Sequence, residues 1–192
     1  MEELSAALRR ERELLDQLRF RFIETRLLLT AREIRYLAWA TAEIDQARVR
    51  AREADLLRAA HLQRLGNGSS RAAMRTLREI AADAEEPWAG ILRDHHEGLC
   101  AMVSEIEVIG HRNAELARAG IRQLAERAGP SLFDSWLQPS DWSTEALTGR
   151  SAVDELAPVA EEAHQLADER AFQDVITTAS RLRMPALLAF LR

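Results

Sequence analysis

Apolar side chains recur at steps of three and four residues from the start of the chain: Leu4, Leu8, Leu15, Leu18, Phe22 and Leu29. Tyr36, Trp39, Ile44, Val49, Leu56 and Leu57 continue the series less regularly. Such spacing gathers them on one side of an α-helix. No glycine occurs before Gly66 and no proline before Pro87, so the pattern predicts a single helix from about Glu3 to Leu65. At 1.5 Å per residue that rod would be about 95 Å long. Gly66 suits a left-handed cap, and Ser69 or Ser70 can cap a short helix over 71–83 built on Met74, Leu77 and Ile80.

Pro87 opens a second long helix over 87–128, and its apolar positions form a heptad. One column is Leu92, Leu99, Ile106, Asn113 and Gly120; the other is His95, Met102, Ile109, Leu116 and Gln123. A sustained seven-residue repeat implies packing along a left-handed seam. Gly129-Pro130 ends it. Residues 130–150 read as a loop carrying Leu132, Phe133, Trp136, Leu137 and Trp142. Ser151 and Asp154 resemble a capping box, and Pro158 is expected to break or kink the helix that follows. Val159, Ala163, Leu166, Phe172, Val175, Ile176, Ala179 and Leu182 then make an amphipathic helix, and Leu187 to Leu191 a last apolar turn. The expected fold is all-α: an antiparallel coiled-coil hairpin or bundle of long helices over 1–129, the Trp-bearing loop 130–150, and a C-terminal amphipathic helical tail over 151–192. A 60 Å helix laid on a 95 Å rod leaves about a third of the rod uncovered, by the same rise per residue. Apolar surface left over in this way suits a protein-binding module.

Charge narrows the choice of partner. The chain carries 26 basic and 31 acidic side chains, and every basic one is Arg. Residues 1–65 hold 13 Arg against 11 acids, while 131–192 hold 5 against 10. The Arg-rich first helix is almost equally rich in Glu and Asp, so no phosphate-binding stripe is expected and nucleic acid is not an expected partner. Cys100 is the only cysteine, which excludes an internal disulfide framework. The acidic start Met1-Glu2-Glu3 is unlike a signal peptide, and no apolar run is long enough to span a membrane, so a cytoplasmic protein is expected.

Little in the sequence points to chemistry. His96 and Cys100 lie four apart beside His95 and Glu97, a permissible metal-ligand spacing. The plainer reading makes His95 a seam residue, puts His96 in solvent and sets Cys100 at the edge of the core. No catalytic set, phosphate loop, cofactor motif or metal site is expected, and the chain does not read as an enzyme. Asn113 sits in an apolar column, either fixing register or offering hydrogen bonds to a bound segment. Trp39 and Trp88 read as core.

Three runs resemble the FlgN-like family of flagellar export chaperones in its actinobacterial form. They are Leu8-Arg9-Arg10-Glu11-Arg12-Glu13-Leu14-Leu15 with Leu27-Leu28-Leu29; Glu86-Pro87-Trp88-Ala89-Gly90-Ile91-Leu92-Arg93-Asp94-His95; and Ser104-Glu105-Ile106-Glu107 with Asn113 and Leu116. The ending Met184-Pro185-Ala186-Leu187-Leu188-Ala189-Phe190-Leu191-Arg192 is similar as well. The resemblance implies a cytoplasmic type III export chaperone. It would bind the C-terminal segments of hook-associated (hook–filament junction) proteins, prevent their premature assembly and deliver them to the export gate. It places client binding on Met102, Ile106, Ile109, Asn113, Leu116, Leu187 and Phe190. Family members touch the gate with a late aromatic, often Tyr; here no Tyr follows Tyr36, and Phe172 or Phe190 would have to serve. The alternative is a self-associating structural coiled coil without client, a homodimer in its simplest form.

Overall fold

A computed structural model describes residues 1–65, 75–127, 152–182 and 184–192. Gly66 to Met74, the loop with Trp136 and Trp142, and the Ser151 cap lie outside the described residues. All regular structure among the described residues is helical. The N-terminal rod is not continuous. It divides into α1 (Glu2–Ala31) and α2 (Leu37–Leu65), joined through a 3-10 turn over Ile34–Tyr36. Arg32 makes the break, with φ 59° and ψ 30° in the left-handed region. Its N–H donates to Leu29 O at 3.3 Å and the Glu33 N–H donates to Leu28 O at 3.0 Å. This is the Schellman closure, with Arg in the position usually filled by glycine. The third of a rod expected to stay uncovered therefore does not exist, because α2 folds back on α1.

Along α1 the buried positions Leu4, Leu8, Glu11, Leu15, Leu18, Phe22, Thr25 and Leu29 step by four and three. The α1–α2 pair is antiparallel, with Glu11 against Arg58 and Arg21 against Glu43. The inner face of α2 is built from small side chains, Ala47, Ala51 and Ala54, around Leu37, Ile44 and Leu62. Of the apolar positions read as its core side, only Ile44 is buried. Tyr36, Trp39, Val49, Leu56 and Leu57 face outward. Small residues let the two backbones approach closely, and several large ones are left on the far side.

The next helix is α3 (Leu77–Asp83). It starts in a capping box: Thr76 Oγ1 accepts from the Glu79 N–H at 3.2 Å and the Thr76 N–H donates to Glu79 Oε2 at 2.8 Å. The Thr76 backbone N–H first, and then the Thr76 side chain, hold the Glu79 carboxyl below its usual range. Then comes α4 (Trp88–Arg127), parallel to α1: Ser5 meets His95, Arg19 meets Glu105 and Arg32 meets Gln123. Its first heptad column is core through Leu92, Leu99, Ile106 and Asn113. The second column holds only at His95 and Ile109; Met102 is half-buried, and Leu116 and Gln123 are exposed. Val103, Ala114 and Ala117 take over, since a straight helix drifts off a strict 3.5-residue repeat.

The fourth long helix, α5 (Ala152–Ser180), is not interrupted at Pro158. It runs antiparallel to α4: Phe172 lies over Gly120 and Leu182 over Gly110, where a Cβ on either glycine would collide with the side chain above it. Ala171, Phe172, Val175 and Leu182 are buried, but Ala163 and Leu166 are exposed, so the amphipathic stripe is covered only toward its C-terminal end. A final short helix, α6 (Pro185–Leu191), packs with α3 and α4 at the end of the bundle that holds both termini.

Two apolar clusters result. The larger runs from Leu4 to Phe22 and takes in α3, α4 and α6; the smaller gathers Leu29, Leu37, Ala117, Phe172 and Val175 near the α1–α2 turn. Between them lie Thr25, Thr41, Asn113 and Thr178, one from each long helix and all buried. The helix register puts them at one level. Thr25 Oγ1 donates to Arg21 O at 2.9 Å and Thr41 Oγ1 to Leu37 O at 3.0 Å. Asn113 Nδ2 donates to Phe22 O at 2.8 Å. Asn113 thus binds the α1 backbone, as a register-fixing side chain does.

Candidate protein-binding surfaces

Two places on the bundle combine apolar surface with organised polar groups. The first is the outer side of the α1–α2 hairpin. Leu27 and Leu28 from α1, Tyr36 from the 3-10 turn, and Trp39 and Ala40 from α2 line an open groove of about 550 Å³. Trp39 is 68% exposed and Leu27 60%, which overturns the core reading of Trp39. The rim is charged: Arg21 bridges Glu24 at 2.7 Å and Glu43 at 2.9 Å. Arg35 lies over the Tyr36 ring at 4.7 Å. Farther along α2, Leu56 is 70% exposed and Leu57 is exposed too. An apolar groove with a polar rim is the usual form of a protein-binding surface.

The second place is the seat of α6. Leu187, Phe190 and Leu191 are buried, at i, i+3 and i+4, while Pro185, Ala186 and Ala189 are exposed. The Arg58 guanidinium stacks on the Phe190 ring at 3.9 Å. His96 Nε2 lies 2.8 Å from Leu191 O and meets an orphan carbonyl at the helix end as a donor. His96 is therefore half-buried beneath the tail, not in solvent. Seven residues are too few for a stable isolated helix, so α6 exists because it is docked. Burying three large apolar side chains contributes about 1.5–3 kcal/mol each. Ordering seven backbone residues costs about 1–2 kcal/mol each, a total of the same size.

Beneath the tail lies Glu11, fully buried at a heptad position of α1. Arg58 Nε donates to Glu11 Oε2 at 2.9 Å, and Arg58 also pairs with Asp55. Glu11 Oε1 has no hydrogen-bond partner among the described residues. Burial pushes the Glu11 carboxyl up and outweighs the pull of Arg58, which leaves it at about 7. Beside the pair is a cavity of about 310 Å³ between Leu15, Ala51, Leu56 and the start of α6, with Arg48 and Arg52 also lining it. The sequence pattern of apolar positions passed over Glu11 and Arg58; the seven-residue spacing of Leu4, Glu11 and Leu18 was the signal that could have found the first.

The seven residues expected to bind client are divided by the fold. Ile106, Ile109 and Asn113 are buried under α1 and α5, and Leu187 and Phe190 are buried in the seat of α6. Met102 is half-buried, and Leu116 is exposed beside Leu29, Ile34 and Phe172 at the hairpin end. They do not form one open groove. His95 is buried, 3.3 Å from Ser5 Oγ, and burial first, then Arg12, lowers its pKa. Cys100 is half-buried, and burial raises its thiol pKa. Among the described residues no three His, Cys, Asp or Glu side chains converge as a metal site would require. No helix among them is long and apolar enough to cross a membrane.

Compared with known proteins, the chain matches no family model, no curated protein and no solved structure.

Proposed function

We propose that the protein is a helical binding module that serves as a cytoplasmic flagellar type III export chaperone. Its clients are the C-terminal segments of hook-associated (hook–filament junction) proteins, held unassembled and handed to the export gate. The observation that carries the binding reading is the reversed face of α2, which buries Ala47, Ala51 and Ala54 and presents Trp39, Leu56 and Leu57 to solvent. With it goes the open groove that gathers Leu27, Leu28, Tyr36 and Trp39, a contiguous apolar patch of the kind that marks a protein contact. The flagellar identity of the client rests on the resemblance of the Leu8–Leu15, Glu86–His95 and Ser104–Glu107 runs and of the Met184–Arg192 ending. A client segment that forms an amphipathic helix can lie along Leu27, Tyr36 and Trp39 and shield its own assembly surface.

Co-purification of the chain with each junction protein, with and without the client's C-terminal segment, tests this. Binding that requires that segment and is lost in Trp39→Glu is the expected result. A tight dimer that takes up neither junction protein, and that Leu56→Glu dissociates, would replace the chaperone with a self-associating structural coiled coil.

A further inference from the structure

We propose that the seat of α6 is a second helix-binding site, and that α6 is its displaceable resident. The occupant that replaces it is an amphipathic helix of a partner protein with apolar residues at i, i+3 and i+4, an aromatic at the second of them, and a further bulky apolar residue one turn upstream. Each part of that description is read from the groove. The seat lies in the larger apolar cluster, which Leu187, Phe190 and Leu191 share with α3 and α4, the helices against which α6 packs. Arg58, fixed by Glu11 and Asp55, presents its flat face to an aromatic ring. His96 reads the last carbonyl of whatever helix lies there. The tail fills this seat incompletely, because α6 begins at Pro185 and a cavity of about 310 Å³ continues past its first residues. A helix one turn longer would cover the same sockets and occupy that cavity as well. α6 is joined to α5 through the short connection after Ser180, and its departure would free its contacts on α3 and α4 and the Arg58 and His96 side chains for a partner helix to take over.

The site therefore exists in a closed form, and a partner must compete with a tethered segment at high effective concentration. This deepens the client-binding reading, but its test uses no junction protein, so the two can fail separately. The probe is a fluorescein-labelled helical peptide that repeats Ala186–Leu191, preceded by one turn that continues the apolar stripe with a leucine. Anisotropy titrations compare the full chain, the full chain with Phe190→Ala, and a chain ending at Leu182. The expected result is at least tenfold tighter binding to the shortened chain than to the full one, with Phe190→Ala between them. A peptide with alanine in place of its phenylalanine should bind at least tenfold more weakly. Should the shortened chain lose helicity by circular dichroism, the comparison of Phe190→Ala with the full chain decides alone. Equal binding to the full chain and to Phe190→Ala, or no binding to either variant while both keep native helicity, overturns the proposal. So does a full-length dimer that Phe190→Ala dissociates, since α6 would then serve a second copy of the chain.

Discussion

The two arms of the N-terminal hairpin have nearly equal lengths and share one seam, yet α1 buries most of its large side chains there and α2 only Leu37, Ile44 and Leu62. α1 turns Leu8, Leu15, Leu18 and Phe22 inward. α2 turns alanines inward and leaves Trp39, Val49, Leu56 and Leu57 outside. The first arm supplies the volume of the core; the second closes it at short range and keeps its apolar area for another contact. Amphipathicity alone does not separate these cases, because both helices carry apolar residues on more than one side. The difference lies in residue size at the seam.

The contrast breaks most sharply with Phe22→Ala, expected to cost about 3–5 kcal/mol in urea unfolding, against less than about 0.5 kcal/mol for Leu56→Ala. Equal losses would mean that Leu56 is covered in solution. Next in size is the Glu11–Arg58 pair that ties the arms together. The Glu11 carboxyl stands at about 7 in the folded chain, above its ordinary value of 4.5. A raised carboxyl pKa favours the folded state below the unfolded value, and that contribution is lost as pH rises through the folded one. Thermal stability should therefore fall between pH 5 and pH 8, by on the order of 2 kcal/mol, and the slope should flatten in Glu11→Gln. Ala51→Leu should cost about 1–3 kcal/mol, because α2 could no longer approach α1 as closely; a neutral result would show slack at the seam. The smallest effect is at the turn: Arg32→Gly relieves a left-handed residue and should stabilise by up to about 1 kcal/mol, measured as a higher urea midpoint.

The helical class, the limits of α4 and the apolar column Leu92, Leu99 and Ile106 were legible from periodicity. The reversal at Arg32 was not, since a Schellman closure is ordinarily announced by glycine and here the left-handed position holds a charged residue. The inner face of α2 was misread because alanine scores weakly as a core residue while Trp39 and Leu56 score strongly. Glu11 and Thr25 were skipped for the converse reason: their heptad positions are core, but their chemistry is not apolar. Gly120 was placed in the correct column without a reason, which is the Phe172 ring lying over it. Of the positions expected to bind client, those on α4 were read from that helix alone, which cannot show the other helices that cover Ile106, Ile109 and Asn113.

The parallel course of α1 and α4 also bears on how quickly the bundle forms. Contacts such as Ser5 with His95 and Phe22 with Asn113 join residues 90 and 91 positions apart. The α1–α2 hairpin is local and can close early, but the seam it offers to α4 stays bare until the distant segment arrives. Loop closure over that span slows folding relative to a bundle of sequential neighbours. During synthesis, the nascent hairpin passes through a period when its own Leu and Phe column is the stickiest surface in the chain.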